Sequence, residues 1–133
     1  MIRTQMVDVL QKAMDGSVVK HTAITNNLAN VNTPGYKKLE VSFQDALSEA
    51  LEPQQKLKRT KPKHLPVAVS LDDPNLVQIR RDTSTSLRND GNNVDVDMES
   101  AALAENQLYF LSLVQLLSSE LSLLRASITE GKR

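Results

Sequence analysis

The chain carries two long heptad patterns of apolar residues, one near each end. In the first pattern, mostly apolar residues recur at alternating steps of three and four, which places them on one stripe of an α-helix. The stripe consists of Val7, Leu10, Met14, Ser17, His21, Ile24, Leu28 and Val31. At about 1.5 Å per residue this helix would be about 40 Å long, too long to be buried by a small domain. We therefore expect it to need a second chain.

The second pattern begins near Val96 and also predicts a long helix. Its stripe consists of Leu103, Phe110, Val114, Leu117, Leu121, Leu124 and Ile128, with Gln107 as the polar interruption. Five further leucines lie outside it, at positions 108, 111, 113, 116 and 123. Because such a helix is apolar around much of its circumference, it must be covered on several sides. Asp95 or Asp97 supplies the N-cap, and Gly131 with Lys132 closes the far end.

Between the two patterns the sequence is polar and rich in proline. All five prolines fall at positions 34, 53, 62, 66 and 74, together with five basic residues between 56 and 63. Apolar spacing predicts a short helix over 41–51, with Phe43, Leu47, Ala50 and Leu51 on one face. Two β-prone stretches, 67–71 and 76–79, are predicted to pair as a small hairpin. We expect order there only on assembly.

These elements predict a mainly α fold. Two long terminal helices form a coiled-coil-like hairpin, joined by a short, Pro-rich, largely irregular connector that contains a short β-hairpin. Residues 1–36 form the N-terminal helix and the turn after it, 37–90 the connector and 91–133 the C-terminal helix, all as one structural unit.

Composition excludes several classes of protein. A chain of 133 residues has room for one domain, and 16 basic against 16 acidic residues give no excess of positive charge for nucleic acid. The absence of cysteine excludes a disulfide scaffold and a thiol nucleophile. We find no apolar stretch approaching about 20 residues and no secretory signal, so we expect neither membrane insertion nor Sec export.

No residue pattern predicts catalysis, a cofactor or a metal. His21 lies on the first helical stripe and His64 lies between prolines, so nothing links them into an acid–base pair. The acidic segment 90–97 suggests calcium, but its glycine follows the first acid directly and the EF-hand spacing fails. A turn followed by a helix cap is the better interpretation. The basic run carries no aromatic residue for base stacking.

Asparagines cluster at the end of the first helix. Asn26, Asn27, Asn30 and Asn32 occupy four of seven positions, where capping alone needs one or two. Either their amides bond across helices or to a neighbouring subunit, or they serve as local caps. Pro34 and Gly35 end the helix in a turn.

The segment that runs from Asn27 to Lys37, NLANVNTPGYK, resembles the N-terminal signature of bacterial flagellar rod, hook and hook–filament junction proteins. In that family one heptad-bearing helix precedes the motif and another ends the chain. The connector is too short and polar for the β domain of hook and distal rod members, so the chain is most similar to proximal rod subunits. Residues 60–65, 90–95 and 105–109 carry that closer likeness.

The resemblance implies a structural subunit of the periplasmic rod, the shaft that transmits torque from motor to hook. It implies assembly with further copies, other proximal rod proteins, the MS ring and the rod-base adaptor, and export without a cleaved signal through the flagellar type III apparatus. Residues expected at subunit contacts are Asn26, Asn27, Leu28, Asn30, Asn32, Thr33, Pro34, Gly35, Tyr36, Asn106, Leu108, Tyr109 and Leu116. Residues expected in the seam within one subunit are Val7, Leu10, Met14, Ile24, Phe110, Val114, Leu117, Leu121 and Leu124.

Two other interpretations fit the same helices. A soluble coiled-coil adaptor or export chaperone would form a small closed complex, whereas a rod subunit makes contacts that continue into an open stack. A sister proximal rod subunit would share the asparagine-rich motif and both helices. For a rod subunit we expect the free chain to have weakly ordered termini that become helical on incorporation, because isolated seams lose entropy on ordering without gaining burial.

Overall fold

The fold is mainly helical, as predicted. A computed structural model describes residues 2–44, 47–48, 77–86 and 88–130. In chain order the elements are α1 (Ile2–Ala29), β1 (Leu39–Ser42), β2 (Gln78–Arg81) and α2 (Val96–Glu130). The two helices pack along each other, and the two short strands form a small sheet beside α1.

The helices run antiparallel. Successive contacts join Leu10 to the neighbourhood of Leu113, Ser17 to Asn106, and Asn27 to Glu99, so residue numbers rise on α1 as they fall on α2. Small residues on α1 allow close approach at this interface. Ala13, Gly16, Ser17 and Ala23 are all buried. The interface is therefore narrow, with few large side chains inside it.

Helix ends follow the local sequence signals. The Asp95 carboxylate accepts hydrogen bonds from the backbone N–H groups of Asp97 and Met98, at 3.0 and 3.3 Å, so Asp95 is the N-cap of α2. After α1 the chain turns through Pro34 and Gly35, and the φ of +69° at Gly35 suits a residue without Cβ. The predicted closing residues of α2, Gly131 and Lys132, lie outside the described residues.

Phe43 joins the connector to the helices. Its side chain is almost fully buried and packs on Gly16 of α1 and beside Tyr109 of α2, with ring centroids 6.3 Å apart. Leu47 then joins the core cluster of Leu10, Ala13 and Leu113. One side of the helix pair is thereby covered by the segment that follows β1.

One strand of the predicted β-hairpin is present, displaced by two residues, and it has a partner that was not predicted. Residues 78–81 do form a strand, but it pairs antiparallel with β1, in the register Leu39↔Arg81 to Ser42↔Gln78. The other predicted strand, 67–71, lies outside the described residues. Alternation of apolar residues marked the strand, but it could not reveal a partner far away in sequence.

The predicted helix over 41–51 begins later. Val41 and Ser42 belong to β1, whereas Gln44, Leu47 and Ser48 are helical, and the Leu47 N–H donates to the Phe43 carbonyl at 2.8 Å. Ala50 and Leu51 lie outside the described residues. The apolar spacing therefore located a helical turn but placed its start inside a strand.

The residues predicted for the seam within the subunit differ in how far the single chain buries them. Leu10 and Ile24 are buried as expected, and Leu117 and Leu124 are partly buried. Val7, Met14 and Phe110 are only partly buried, and Val114 and Leu121 are exposed. Leu113, which the prediction left outside the stripe, is buried instead. The small residues of α1 and the buried Asn106 fix the rotation of the helices. A count of large apolar residues includes neither the small residues nor Asn106.

Candidate functional site: an asparagine junction beside an open apolar helix

Four asparagines are buried where the segments of the chain meet. Asn27, Asn92 and Asn93 lie at one end of the helix pair and are called here the asparagine junction, while Asn106 lies midway along the pair. A carboxamide can donate and accept at once, so it can replace a backbone peptide group as a partner. No buried side-chain N or O atom among the described residues lacks a hydrogen bond.

Asn27 connects α1 to β1 and α2. Its Oδ1 accepts from the Leu39 N–H at 2.8 Å, and its Nδ2 donates to the Leu39 carbonyl at 2.9 Å. The carboxamide thus pairs with the outer edge of β1 as a neighbouring strand would. Its Nδ2 also lies 3.1 Å from Glu99 Oε2, and the Tyr36 hydroxyl donates to its Oδ1 at 3.2 Å. One side chain therefore fixes three segments.

Asn93 lies at the end of the β1–β2 ladder. Its Oδ1 accepts from the Lys38 N–H at 2.8 Å, and its Nδ2 donates to the Asp82 carbonyl at 2.9 Å. Lys38 and Asp82 face each other, and the Asp82 N–H donates directly to the Lys38 carbonyl at 3.0 Å. The carboxamide therefore occupies the place of the next ladder hydrogen bond and joins the sheet to the segment before α2.

Asn92 holds the turn that follows α1. Its Nδ2 lies 3.0–3.1 Å from the carbonyl oxygens of Asn30, Val31 and Thr33. Its Oδ1 accepts from the Val94 N–H at 2.8 Å. These carbonyls lie beyond the last helical turn, where they have no partner within the helix. A single buried side chain thus caps α1 from the other end of the chain.

Two further hydrogen bonds hold the same turn, and together with those of Asn92 they are called here the clamp. The Gly35 N–H donates to the Asp90 carbonyl at 2.9 Å, and Arg88 Nη1 donates to the Val31 carbonyl at 3.0 Å. Gly91 has a φ of +83°, which lets the 88–91 turn close with a bond from its N–H to the Arg88 carbonyl. The segment 90–97 is therefore a turn followed by a helix cap, as predicted.

Midway along the helices a polar pair interrupts the apolar interface. The Ser17 hydroxyl donates to Asn106 Oδ1 at 3.1 Å, and Asn106 Nδ2 donates to the Ser17 carbonyl at 2.9 Å. Both side chains are buried. A buried polar pair of this kind fixes the register of two helices, because sliding by one residue would leave both groups unsatisfied.

The predicted subunit-contact asparagines divide into two groups. Asn27 and Asn106 are buried and bonded within the chain. Asn30 acts locally, because its Nδ2 donates to the Asn26 carbonyl and its Oδ1 accepts from Thr33. Asn26 and Asn32 are exposed. Bonding between segments and local capping are thus both present in one cluster.

The turn after α1 is exposed to solvent. Asn32, Thr33, Pro34 and Gly35 are exposed, while Tyr36 is partly buried through its bond to Asn27. Leu28 is also partly buried. The backbone of this turn is held from inside by Asn92 and Arg88, so an exposed surface is presented on a fixed frame.

Electrostatics near the junction stabilise its loops. Hydrogen bonds from the Ser84 hydroxyl, the Ser84 N–H and the Thr85 hydroxyl lower the pKa of Asp82 to about 2. Lys38 Nζ lies 2.8 Å from Glu40 Oε1, and this hydrogen bond raises the pKa of Lys38. Lys38 and Glu40 line an open depression of about 410 Å³, together with Lys20, Arg80 and Glu99. His21 is exposed on α1, and His64 lies outside the described residues.

Beyond the junction, α2 is open to solvent. Within its described side chains only Asn106 and Leu113 are buried. Leu108 is 69% exposed and Leu111 62%, and Tyr109 between them is partly buried against the core. The exposed apolar side chains of α2 are Val96, Met98, Leu108, Leu111, Val114, Leu116, Leu121, Leu123 and Ile128. Such an extent of exposed apolar surface marks a contact site.

The length and hydropathy of α2 also satisfy a simple test for a membrane span, over Val96–Thr129 with a mean hydropathy of 1.2. No membrane span was expected from the sequence, because this helix has no uninterrupted apolar run of about 20 residues. The same helix carries Glu105 and Glu120 and uses Asn106 to bond α1. By length and composition alone the test does not separate a membrane helix from a helix that packs on protein.

Two residues of the junction and one residue of the helix core were not predicted from the sequence. Asn92 and Asn93 were considered only as part of a turn, and Gly16 was not singled out. A Cβ on Gly16 would lie 2.5–2.8 Å from the Phe43 ring, so this position must stay small. The signal available was the pair of asparagines next to Gly91, but the carbonyl partners of Asn92 lie 59–62 residues earlier in the chain, and Lys38, a partner of Asn93, lies 55 residues earlier.

Comparison with known proteins matches these features. A family model described as flagella basal body rod protein matches residues 20–37, the end of α1 and the clamped turn. The chain is 37% identical to flagellar basal body rod protein FlgB of Bacillus subtilis over 123 residues, covering 92% of each chain. It is 31% identical over 109 residues to FlgB of Borreliella burgdorferi, covering 78% of this chain and 81% of that one. FlgB of Aeromonas hydrophila is 35% identical over 100 residues, 74% of each chain.

Proposed function

The chain belongs to the FlgB family of flagellar basal body rod proteins, and from that premise we propose how its two regions serve the proximal rod. It is a structural subunit of that rod, and its family is not an enzyme class. In our proposal the asparagine junction is a preformed rigid end of each subunit. The apolar sides of α2 are the surfaces by which subunits bind one another.

One observation carries this proposal: a 35-residue helix has two buried side chains among those described, although its composition is strongly apolar. Burying one large apolar side chain contributes about 1.5–3 kcal/mol. Nine such side chains left in water represent a large driving force for association. A structural subunit uses that force to join its neighbours, and torque is transmitted because rotation would have to expose the buried surface again.

The junction supports the same role. An assembly that carries torque needs subunits whose parts do not shift against each other under load. The Asn27, Asn92 and Asn93 side chains join α1, β1, β2 and the start of α2 through buried hydrogen bonds. Such networks hold one arrangement when every member is satisfied. Each subunit can then pass force from its helices to the clamped turn without internal slippage.

The family supports the location of the chain directly, and we extend it to the partners and to the export route. The chain is a component of the flagellar basal body. We extend this to a place in the periplasmic part of the rod and to contacts with other proximal rod proteins, the MS ring and the rod-base adaptor. We also extend it to export through the flagellar type III apparatus. A narrow helical hairpin without cysteine supports that route, because it has no disulfide to break before threading.

The exposed helix surface fits protein better than lipid. A membrane-spanning helix needs apolar side chains on all sides that meet lipid, and ionisable groups there are costly. Exposed positions on α2 include Glu105, Gln107 and Gln115 among the leucines. The adaptor or chaperone interpretation would close these surfaces in a small complex, whereas a rod subunit leaves an open stack.

Electron microscopy of basal bodies tests the proposal directly. A strain that lacks this chain is compared with the same strain carrying the chain on a plasmid. We expect rings without a rod in the first strain and complete rods in the second. Complete basal bodies in the deletion strain would refute the rod role and favour the adaptor.

A matched pair of variants tests the surface itself. Leu108→Ser with Leu111→Ser removes two exposed leucines, and Gln107→Ser with Gln115→Ser changes two exposed amides of the same helix. We expect the first pair to fail to restore rods while the protein is still produced, and the second pair to restore them. Equal restoration by both pairs would show that these leucines do not contribute to assembly.

A further inference from the structure

The flanks of the helix pair differ from one another. Phe43 covers one flank, where it packs on Gly16 and beside Tyr109. Successive residues of a helix are rotated by about 100°, so Met14 lies on the opposite flank of α1 from Gly16 when both are viewed from buried Ala13. By the same count Val114 lies on the opposite flank of α2 from Tyr109, viewed from Leu113.

Because the helices are antiparallel, both rotations lead to the same side of the pair. The side away from Phe43 therefore carries a shallow apolar channel between the helices, called here the open groove. Its residues are Val7, Met14, Phe110, Val114 and Leu121. Val114 is 40% exposed and Leu121 51%, and the other three are partly buried.

The spacing of the open groove fits a third helix. Val7 and Met14 are seven residues apart, as are Val114 and Leu121, which is the repeat of a coiled-coil seam. The groove is also continuous with the α1–α2 interface, since Met14 packs against the core cluster of Leu10, Ala13 and Leu113. A helix placed there would extend an existing core instead of starting a new one.

The same chain also carries a surface of the right kind to enter the groove. Leu108 and Leu111 stand on the side of α2 away from α1 and form what is called here the outer ridge. They are too far around the helix to contact the chain's own α1. Ridge and groove both consist of apolar side chains, so their contact would remove apolar surface from water on both copies.

We propose that the outer ridge of one copy packs into the open groove of a second copy. The proposal rests on the rod function described above and names the partner of that apolar surface. Ridge and groove lie on different sides of the molecule, so the contact is heterologous. Each copy keeps one free groove and one free ridge, and the contact therefore repeats from copy to copy.

Disulfide trapping tests this contact, because the natural chain has no cysteine. The variant with both Leu111→Cys and Met14→Cys places one thiol on the ridge and one beside the groove. On oxidation of the purified full-length chain we expect a ladder of dimers, trimers and larger oligomers that reduction abolishes. The matched control joins Leu111→Cys to Asp15→Cys, whose side chain is exposed next to Met14, and should show at least a tenfold weaker ladder.

Three outcomes would overturn the proposal. Oxidation of Leu111→Cys alone to a dimer as abundant as the ladder would show that two ridges meet symmetrically. The same oxidation is carried out with Leu111→Cys joined to Met14→Cys, to Val114→Cys or to Leu121→Cys. Absence of a ladder in all three variants would show that the groove receives another occupant. Binding of the wild-type chain to vesicles of anionic phospholipid, without a ladder, would assign the surface to lipid.

The rod function and this contact can fail separately. If the wild-type chain restores rods in the deletion strain but the cysteine pair forms no ladder, the function stands and the contact is wrong. If the deletion strain builds complete rods, the function is wrong whatever the cross-linking shows. Circular dichroism of each cysteine variant, compared with wild type, establishes that the substitutions have not unfolded the helices.

Discussion

The asparagine junction and the part of α2 beyond Asn106 differ in whether their side chains have partners within the chain. At the junction, buried polar groups all have partners within the chain, and each asparagine bonds a segment far away in sequence. Along α2 beyond Asn106, Leu113 is buried against α1, whereas Leu108, Leu111 and Leu116 are more than half exposed. The first region is complete in one chain, and in our proposal the second is covered by another chain.

The contrast teaches how a small subunit can be both definite in shape and ready to assemble. Polar networks specify one arrangement because a misplaced member leaves an unsatisfied group that costs about 1–3 kcal/mol. Apolar surfaces supply affinity with less geometric demand. Placing the polar network at one end and the apolar surface along the helix separates the two tasks.

The largest effect that would break this comparison is expected at Asn92. The variant Asn92→Asp removes the donor that three carbonyl oxygens share and places a carboxylate beside them. We expect the free energy of unfolding to fall by about 3 kcal/mol or more. Urea denaturation followed by circular dichroism measures this.

The matched control for that variant is Asn26→Asp, which makes the same chemical change at an exposed position of α1. We expect it to change the free energy of unfolding by less than about 0.5 kcal/mol. Similar losses for both variants would mean that the clamp on the turn adds nothing specific to stability.

A smaller loss is expected from Gly16→Ala, which tests how the connector meets the helices. The added methyl would lie 2.5–2.8 Å from the Phe43 ring, so the ring must move. Overpacking of this kind costs about 1–3 kcal/mol. Thermal unfolding of Gly16→Ala, of Phe43→Leu and of the double variant should show that the smaller side chain at 43 recovers part of the loss. Additive losses would contradict a direct contact.

A still smaller stability change is expected from Leu108→Ser in the isolated chain. Because Leu108 is 69% exposed, its replacement should alter the free energy of unfolding by less than about 0.5 kcal/mol. Self-association measured by sedimentation should nevertheless weaken. Leu113→Ala, at a buried position of the same helix, should instead lower stability by about 2–5 kcal/mol. Equal effects on stability would erase the distinction between the two surfaces.

The smallest effect on stability is expected when the pH is lowered. The folded pKa of Asp82, about 2, lies below the ordinary value of 3.8, so its contribution to stability is present above pH 3.8 and disappears as pH falls toward 2. Ser84→Ala removes the largest cause and should raise the Asp82 pKa toward 3.8, as followed by NMR titration of the carboxyl carbon. An unchanged pKa would show that Ser84 does not hold this carboxylate.

The two regions also differed in how far the sequence predicted them. Heptad spacing located both helices, and Asp95 marked the start of α2, since these signals are local. The buried face of α2 was harder to predict, because leucine occurs on several sides of this helix and Leu113, which lies outside the predicted stripe, is buried. The decisive residues were Ser17 and Asn106, whose polar pairing fixes the register.

The junction was harder to predict because its contacts are distant in sequence. The cluster of Asn26, Asn27, Asn30 and Asn32 left open whether the amides bond across segments or act as local caps, and Asn27 bonds across segments whereas Asn30 acts locally. Nothing local linked Asn92 to the turn at 30–33 or Asn93 to the ladder end at Lys38 and Asp82. The partner of β2 was missed for the same reason, since strand pairing over a long connection leaves no mark in either strand.

Amide hydrogen exchange on the isolated full-length chain tests the central claim most directly. We predict that the amides of Leu39, Val94 and Gly35, which are bonded at the junction, are protected, while those of α2 beyond Leu117 exchange rapidly until the chain self-associates. Protection of the whole of α2 in the monomer, or rapid exchange at the junction, would contradict the account.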